Sequence, residues 1–298
     1  MPNKNVGGQA VIEGVMMRNE YDVSVAVRKP NQEISIKNDK INVLPKWKWL
    51  RWPFIRGISS LIEMLVVGIK TLNYSANESL DEPDTDQKEE LSTWQITLTM
   101  IVAFALAIGI FKFLPLAMTT GIQAFFPFLK NHGIVFNLVE GIIKALLVVG
   151  YIVLISLMED VKRIFQYHGA EHKSVHCYEE DKELTVENVQ KYPTAHPRCG
   201  TSFIIFVVLI SILVYTLIPN SLNFWLKLGY RLLLLPVIAG ISFEILKLNS
   251  KFPNSTTLGL IDKPGIWIQK LTTREPDEKQ LEVAIAALTA VTNKDTAE

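Results

Sequence analysis

The sequence FQYHGAEHKSVHCYEE (Phe165–Glu180), followed closely by YPTAHPRCGTSF (Tyr192–Phe203), holds most of the side chains in this chain that bind metals or move protons. The two segments contain four of the five histidines and both cysteines, Cys177 and Cys199. Apolar runs flank them on each side, and about 20 apolar residues are enough to cross a bilayer. The pattern therefore predicts a metal or acid–base site at a membrane surface.

Three histidines recur at every fourth position: His168, His172 and His176. On a helix they would share one face, with successive imidazoles about 5.4 Å apart along the axis. Glu171 precedes His172, so the segment reads H-x-x-E-H, in which the glutamate serves as general base beside a metal held by the two histidines. We predict that Glu171 is catalytic and that the three histidines are metal ligands.

A second pair of candidate ligands, His196 and Cys199, has H-x-x-C spacing beside a proline and a glycine. Imidazole and thiolate together favour zinc over magnesium or calcium, so the expected cofactor is Zn²⁺. Two alternatives stay open. The histidines can be hydrogen-bonded groups that stabilise a loop beside a buried cysteine, and a metal bound here can be structural rather than catalytic.

Four apolar segments predict transmembrane helices at 94–118, 134–158, 202–219 and 224–248. Lysine and arginine concentrate in the N-terminal 93 residues, the 159–201 loop and the C-terminal segment, and the connections at 119–133 and 219–223 hold only Lys130. The positive-inside rule then places both termini and the histidine-rich loop in the cytoplasm.

The N-terminal residues 1–45 predict a β-hairpin segment, because Tyr21–Arg28 and Glu33–Lys37 alternate apolar and polar residues. Gly7–Gly14 predicts a tight turn that feeds a strand. Residues 46–76 combine tryptophans with cationic side chains, which is typical of a membrane interface. The apolar core of that segment, Ile58–Leu72, is about 15 residues long and therefore predicts an interfacial or re-entrant helix.

The remaining segments complete the predicted organisation. Residues 77–93 are an acidic linker, 94–158 and 202–248 are two transmembrane hairpins, and 159–201 is the cytoplasmic His/Cys loop. The C-terminal segment, 249–298, contains a Lys-Pro-Gly turn and a helix over Thr272–Val291. That helix has an apolar face that needs a packing partner, formed by Leu281, Ala284, Ile285 and Leu288.

The predicted fold class is an α-helical polytopic membrane protein with four transmembrane helices and one interfacial helix. It carries a small cytoplasmic α+β module built from the N-terminal, central-loop and C-terminal segments. Basic and acidic residues number 30 each, so the net charge is zero and no nucleic-acid partner is expected. The partners we expect are the lipid bilayer and a protein at the cytoplasmic face.

Five segments together resemble the YqhQ family of bacterial membrane proteins: GGQAVIEGVMMR, PFIRGISSLIE, FQYHGAEHKSVHCYE, HPRCGTSF and TTREPDEKQLEVAIAAL. The resemblance covers nearly the whole chain. It implies a multi-pass protein of the bacterial plasma (inner) membrane, in a family with suggested metal dependence and no established reaction. It also supports His168, Glu171, His172, His196 and Cys199, and it adds Arg198, Glu13 and Gln9 as residues that support the site.

Three functions are consistent with these patterns. The first is a zinc-dependent enzyme, hydrolytic in type, whose substrate approaches along the membrane surface. The second is a non-enzymatic factor for membrane-protein biogenesis, in which a structural His/Cys cluster holds a module that docks the protein-insertion machinery. The third is a transporter that uses charged residues within the spans, among them Glu140, Lys144 and Arg231.

Overall fold

The computed structural model describes residues 6–19, 22–41, 47–80, 93–251 and 256–292. Four strands form one antiparallel sheet in sequential order: β1 (Gly7–Val11), β2 (Gly14–Arg18), β3 (Asp22–Arg28) and β4 (Ile34–Lys40). A 3-10 helix spans Lys48–Arg51 and a π-helical turn spans Gly109–Phe113. The α-helices are α1 (Ile55–Glu78), α2 (Thr93–Ile108), α3 (Leu114–Phe125), α4 (Phe128–Asn131), α5 (Gly133–Ile155), α6 (Glu159–Glu179), α7 (Val186–Val189), α8 (Ser202–Tyr215), α9 (Phe224–Leu233), α10 (Leu235–Lys251), α11 (Thr256–Thr272) and α12 (Glu278–Thr292).

The predicted hairpin is present as β3 and β4, in which Val25 pairs with Lys37. The glycine-rich segment before it forms a hairpin of its own, because Ile12 and Glu13 make a two-residue turn between β1 and β2. Glu13 occupies the left-handed region with a φ of 49°, where many two-residue hairpin turns place a residue. The N-terminal unit is therefore a four-stranded sheet rather than a single hairpin.

Both faces of the sheet are buried at β2 and β3. Val15, Met17 and Ala26 point to a core shared with α6 and α12. The alternate positions, which include Val25, pack against Val67 of α1. This two-sided burial explains why β2 reads as a nearly continuous apolar strand, and it places the sheet between α1 and the α6–α12 pair.

The C-terminal helix α12 lies on the sheet and on α6, so three distant parts of the chain form one α+β unit, hereafter the module. Leu281, Ala284 and Leu288 of the predicted apolar face are fully buried there. The packing partner of this face is therefore within the chain. The face is therefore not available to dock another protein.

Helix α1 is longer than the predicted interfacial segment and joins the module to the apolar helices. Ser75 in its second half accepts a hydrogen bond from Ile12 N, with a donor–acceptor distance of 3.2 Å. In its first half, Arg56 forms an ion pair with Glu244 of α10, and Gly57 packs directly against Phe243. Trp47, Trp49 and Trp52, which precede α1, are exposed.

By length and composition, two helices in the described part of the chain can cross a membrane: Ile101–Phe125 and Gly133–Ile155. A third span would be the bent pair Phe224–Leu233 and Leu235–Asn249, whose axes differ by 43°. Helix α8 is apolar but ends at Tyr215, which makes it shorter than the roughly 20 residues that a span needs. The structure thus supports two or three spans on these criteria.

One further expectation needs correction, and another concerns residues outside those that the structure describes. The predicted Lys-Pro-Gly turn is part of α11, which continues through Pro264. Gly265 lets α11 pack closely on α8, because a Cβ atom there would lie well inside 3.0 Å of Ser202. Most of the predicted acidic linker, 81–92, lies outside the described residues.

Candidate functional site

The histidine segment forms α6, as the four-residue spacing predicts. Glu159 and Asp160 occupy its first turn, where acidic side chains interact favourably with the helix dipole. The helix does not continue from α5, since Met158 is extended with ψ of 131°. Helix α6 is therefore positioned by its packing in the module rather than by the preceding span.

The chain returns along the histidine face of α6, and this return segment (residues 190–199) supplies backbone carbonyls to it. Thr194 O lies 2.5 Å from His172 Nδ1, and Ala195 O lies 2.9 Å from His176 Nε2. Buried Lys173 donates to Gln190 O at 2.9 Å and pairs with Glu275. These contacts fix the return segment against α6 and bring Cys199 beside the histidines.

His168, His172 and Cys199, hereafter the triplet, place one ligand atom each within 4.8 Å of one another. His168 Nε2 lies 3.4 Å from Cys199 Sγ, and the centroids of the two imidazoles are 4.4 Å apart. His168 Nδ1 lies 2.9 Å from Thr272 O. Thr194 O has the same place at His172 Nδ1. Since a ring nitrogen can only donate to a carbonyl, the proton of each neutral imidazole is on Nδ1, and Nε2 keeps the lone pair that a metal ion requires. The triplet can hold a metal ion.

Glu171 is buried beside the triplet, with its Oε2 atom 3.4 Å from His172 Nε2. Strand β1 passes directly over it. A Cβ atom at Gly8 would overlap Met16 O and lie 3.0 Å from Glu171 Cγ. A glycine is therefore required at position 8 for β1 to approach the carboxylate so closely.

His196 is buried near the triplet but is not one of its three members. Its Nδ1 accepts a hydrogen bond from Arg198 N at 3.2 Å, and its Nε2 lies 3.4 Å from Glu179 Oε2. Gln269 of α11 holds the backbone of His196 with two hydrogen bonds, of 2.8 and 2.9 Å. Burial lowers the pKa of His196 below its ordinary value, and the charge of Glu171 partly offsets this.

His176 also lies outside the triplet. Its Nε2 donates to Ala195 O, and its ring stacks on Tyr192 at a centroid distance of 6.1 Å. Burial lowers its pKa, which favours the neutral imidazole. The other cysteine, Cys177, is buried with its thiol 3.5 Å from Glu183 O, and burial raises the pKa of this thiol.

The three residues predicted to support the site occupy different places. Arg198 lies next to the triplet and forms an ion pair with Glu179. Gln9 points to α1 and donates to Thr71 Oγ1 at 3.3 Å. Glu13 lies on another side of α6, in an ion pair with Arg163. The structure brings Arg198 to the site, whereas Gln9 and Glu13 hold the β1–β2 hairpin against α1 and α6.

A cleft of about 500 Å³ opens onto the triplet. One wall is polar and includes Glu171, His196 and Arg198, and Arg18 of β2 extends it. The opposite wall is apolar and comes from α1 and α10, at Met64, Phe243 and Leu246. The cleft therefore lies where the module meets helices α1 and α10, and its two sides differ in chemistry.

Sequence reasoning missed Gln269 and the carbonyls of Thr194 and Thr272, which orient the histidines. A backbone carbonyl leaves no signature in side-chain identity, and Gln269 was visible only as a glutamine near an apolar run. Gly8, from the predicted glycine-rich turn, lies in β1 and allows this strand to approach Glu171.

Comparison with known proteins assigns this chain to a family. Residues 52–294 match the family model described as a protein of unknown function, DUF1385. The chain is also 38% identical over 293 residues to "Uncharacterized protein YqhQ" of Bacillus subtilis (strain 168), which covers 94% of this chain and 89% of that protein. The chain belongs to the DUF1385 family. No solved structure matches it significantly.

DUF1385 membership confirms the resemblance seen in the five sequence segments. The family description and the name of the Bacillus relative assign no reaction. The match begins at Trp52 and so covers the triplet, the cleft wall from α10 and helix α12, whereas the identity to YqhQ extends over most of the chain. What this DUF1385 protein does must follow from the geometry of its site.

Proposed function

We propose that the triplet binds Zn²⁺ and that this protein is a metal-dependent enzyme, hydrolytic in type, at the face of a membrane. One observation carries the proposal: three ligand atoms of the types that zinc prefers converge, and both imidazoles are held through Nδ1 by backbone carbonyls. Histidines that ligate metals usually donate their other ring N–H in this way. His168 Nε2 lies 3.4 Å from the Cys199 thiol, and the ligand atom of His172 lies within 4.8 Å of both, which is the arrangement that a shared metal ion needs.

The spacing of the triplet fits tetrahedral coordination. With Zn–N near 2.0 Å and Zn–S near 2.3 Å, the edge between a nitrogen and a sulfur ligand is about 3.5 Å. The distance from His168 Nε2 to Cys199 Sγ is 3.4 Å. Three protein ligands leave a fourth position for water or substrate, which is typical of catalytic rather than structural zinc sites.

Glu171 has the position that a general base requires. Its carboxylate lies 3.4 Å from His172 Nε2, on the side where the cleft opens. A Zn²⁺ ion held by the triplet would supply Lewis acidity and lower the pKa of bound water to about 7. Glu171 would accept the proton of that water and pass it to the leaving group. His196 and Arg198 line the same wall and can orient a polar substrate group.

The cleft favours an amphipathic substrate. Its polar wall holds the proposed chemistry, and its apolar wall comes from α1 and α10, where Met64 is exposed. A molecule with its reacting group at the triplet and an alkyl portion against Met64, Phe243 and Leu246 would bury apolar surface on binding. Such a molecule would reach the cleft along the membrane surface.

The membrane arrangement is part of this proposal. Two long apolar helices, the bent α9–α10 pair and the shorter α8 would form four membrane segments, with α1 at the interface. The module and both termini would then face the cytoplasm of a bacterial cell, on the side where lysine and arginine concentrate. Exposed Trp47, Trp49 and Trp52 ahead of α1 fit the headgroup level of that face.

The non-enzymatic alternative, a factor that docks the protein-insertion machinery, now has weaker support. The apolar face of α12, which would have met such a partner, is covered by the sheet and α6. The exposed tryptophans remain compatible with a protein partner as well as with lipid. No contact in the described part of the chain favours docking over catalysis.

Replacing Glu171 with glutamine tests the enzyme proposal. The amide keeps the shape of the side chain but cannot accept a proton, so kcat should fall about 100- to 10,000-fold while the zinc content is unchanged. The probes are chromogenic 4-nitrophenyl esters and phosphodiesters with a long or a short alkyl chain, given to zinc-loaded protein. The long-chain probes should react faster, because the apolar wall binds them.

The matched control is Glu159→Gln, an equal change at an exposed position of the same helix. It should leave the rate and the zinc content at wild-type levels. If wild-type protein turns over none of the probes faster than its chelated form, or if Glu171→Gln retains the full rate, the hydrolase proposal is wrong. Metal retention in both cases would leave a structural zinc site as the explanation.

A further inference from the structure

A polar pocket of about 560 Å³ lies at the end of the membrane helices farthest from the triplet. It is lined by the end of α3, α4, the loop before α9 and the start of α9. Helix α5 begins beside it at Gly133 and ends at Ile155, just before α6. At about 1.5 Å per residue, this helix separates the pocket from the module by roughly 35 Å.

The residues that line this pocket donate hydrogen bonds and carry positive charge. They include two lysines and three side-chain amides, namely Lys130, Lys227, Gln123, Asn131 and Asn220, with hydroxyls from Thr120 and Ser221. No carboxylate occurs among the described residues that line it. Such a lining would repel a metal cation and suits an anion.

Behind the pocket, further basic side chains lie between the helices. Lys227 lies one helical turn from Arg231, which pairs with Glu140 of α5. Lys144 lies 4.0 Å from the same carboxylate, and Lys112 reaches Tyr215 from the π-helical turn. Such turns are often found at functional sites. In this described cluster four cations face one carboxylate, a formal excess of three positive charges.

Neutral oxygen atoms, not acids, accept the remaining hydrogen bonds. Lys227 donates to Asn220 Oδ1 at 2.9 Å, and Lys144 donates to Ser211 Oγ at 3.0 Å. Arg231 is 2% exposed, and its Nε atom is buried with no hydrogen-bond partner. Because an uncompensated charge among apolar helices is costly, a bound anion beside Lys227 would lower the cost of keeping this cluster charged.

We infer that this pocket binds a phosphate group, with Lys130 and Lys227 providing charge and the amides of Gln123 and Asn131 providing orientation. The amide of Asn220 is already committed to Leu129 O, Lys130 O and Lys227, so it holds the pocket wall in place. A phosphate has several oxygen acceptors and can use divergent donors that a halide ion would leave unused. The group can belong to a phospholipid headgroup or to a soluble phosphate, since the pocket lies at a helix end where both are accessible. This inference does not depend on the zinc proposal.

The test uses the full-length protein in phosphatidylcholine nanodiscs. Inorganic phosphate is titrated against chloride at equal ionic strength, and a parallel sample contains phosphatidylglycerol. The readout is the stabilisation of the protein against thermal unfolding, from which an apparent Kd is obtained. Stabilisation by inorganic phosphate identifies a soluble ligand, and stabilisation by phosphatidylglycerol alone identifies a lipid headgroup.

Lys130→Gln should weaken the binding of whichever probe stabilises wild type by about 10- to 100-fold, the loss of one hydrogen bond to a charged group. Lys130 is exposed, so this change should not affect folding. Lys40→Gln, an equal charge change on exposed β4, should leave the Kd at the wild-type value. If neither probe stabilises wild type more than chloride, or if both variants bind alike, the phosphate site is ruled out.

Discussion

Replacing Cys199 with serine is expected to lower the affinity for Zn²⁺ by at least about a hundredfold and the zinc content from about one ion per chain to below about 0.2. The thiolate is the only sulfur ligand that the triplet offers. A serine hydroxyl stays protonated near neutral pH and is a poor zinc ligand. The two histidines that remain would leave the ion too few protein ligands.

The chain contains a matched control for this change. Cys177 is also buried, but its thiol faces the carbonyls of Lys182 and Glu183 rather than the histidines. Cys177→Ser should therefore retain the wild-type zinc content. Elemental analysis of protein purified in mild detergent without chelator measures both variants. Cobalt substitution adds a spectroscopic readout, because a thiolate-to-cobalt absorption band should persist in Cys177→Ser and vanish in Cys199→Ser.

Equal zinc content in the two variants would contradict the metal site. Equal and negligible zinc in the wild type and both variants would do the same. The triplet would then be a set of hydrogen-bonded histidines beside a buried thiol, which is the alternative that the sequence left open. The contacts of His168 and His172 with Thr272 O and Thr194 O would keep their structural role in that case.

The helices and strands of the module were predictable where one hydrophobic or histidine periodicity continues along the whole helix or strand. Alternation gave β3 and β4, and the four-residue histidine spacing gave the ligand face of α6. The choice among ligands was not predictable in the same way. His176 and His196 have the right chemistry, but Ala195 O engages the Nε2 of His176. His196 is not among the residues whose ligand atoms all lie within 4.8 Å of one another.

Long-range packing explains most of the remaining differences. The carbonyl that orients His168 lies 104 residues away in the chain, and the one that orients His172 lies 22 residues away. The apolar face of α12 indicates that the helix packs against a partner. Hydropathy does not distinguish a partner protein from the sheet of the same chain. The apolar run after Thr201 predicts a span, whereas its α-helix stops at Tyr215.

Replacing Gly169 with alanine is expected to destabilise the module by at least about 3 kcal/mol, a loss typical of severe overpacking. Gly169 follows His168 on α6, where the turn before α12 crosses the helix. Arg274 N donates to Phe165 O at 2.9 Å, so the turn is docked on the backbone of α6. A Cβ atom at position 169 would lie well inside 3.0 Å of Arg274 O, and a backbone carbonyl cannot rotate away as a side chain can.

The same displacement should disturb the triplet, because Thr272 O, which holds His168 Nδ1, lies just before that turn. Gly169→Ala should therefore lower the unfolding temperature by about 5 °C or more and reduce zinc content as well.

Gly150→Ala is the matched control, since nothing lies within 4 Å of a Cβ atom there and alanine favours a helix. Its stability should equal or exceed that of the wild type. A Gly169→Ala protein with wild-type stability and zinc content would mean that the turn does not position His168. If stability falls while zinc is fully retained, the turn holds the module together, and the return segment alone orients the ligands.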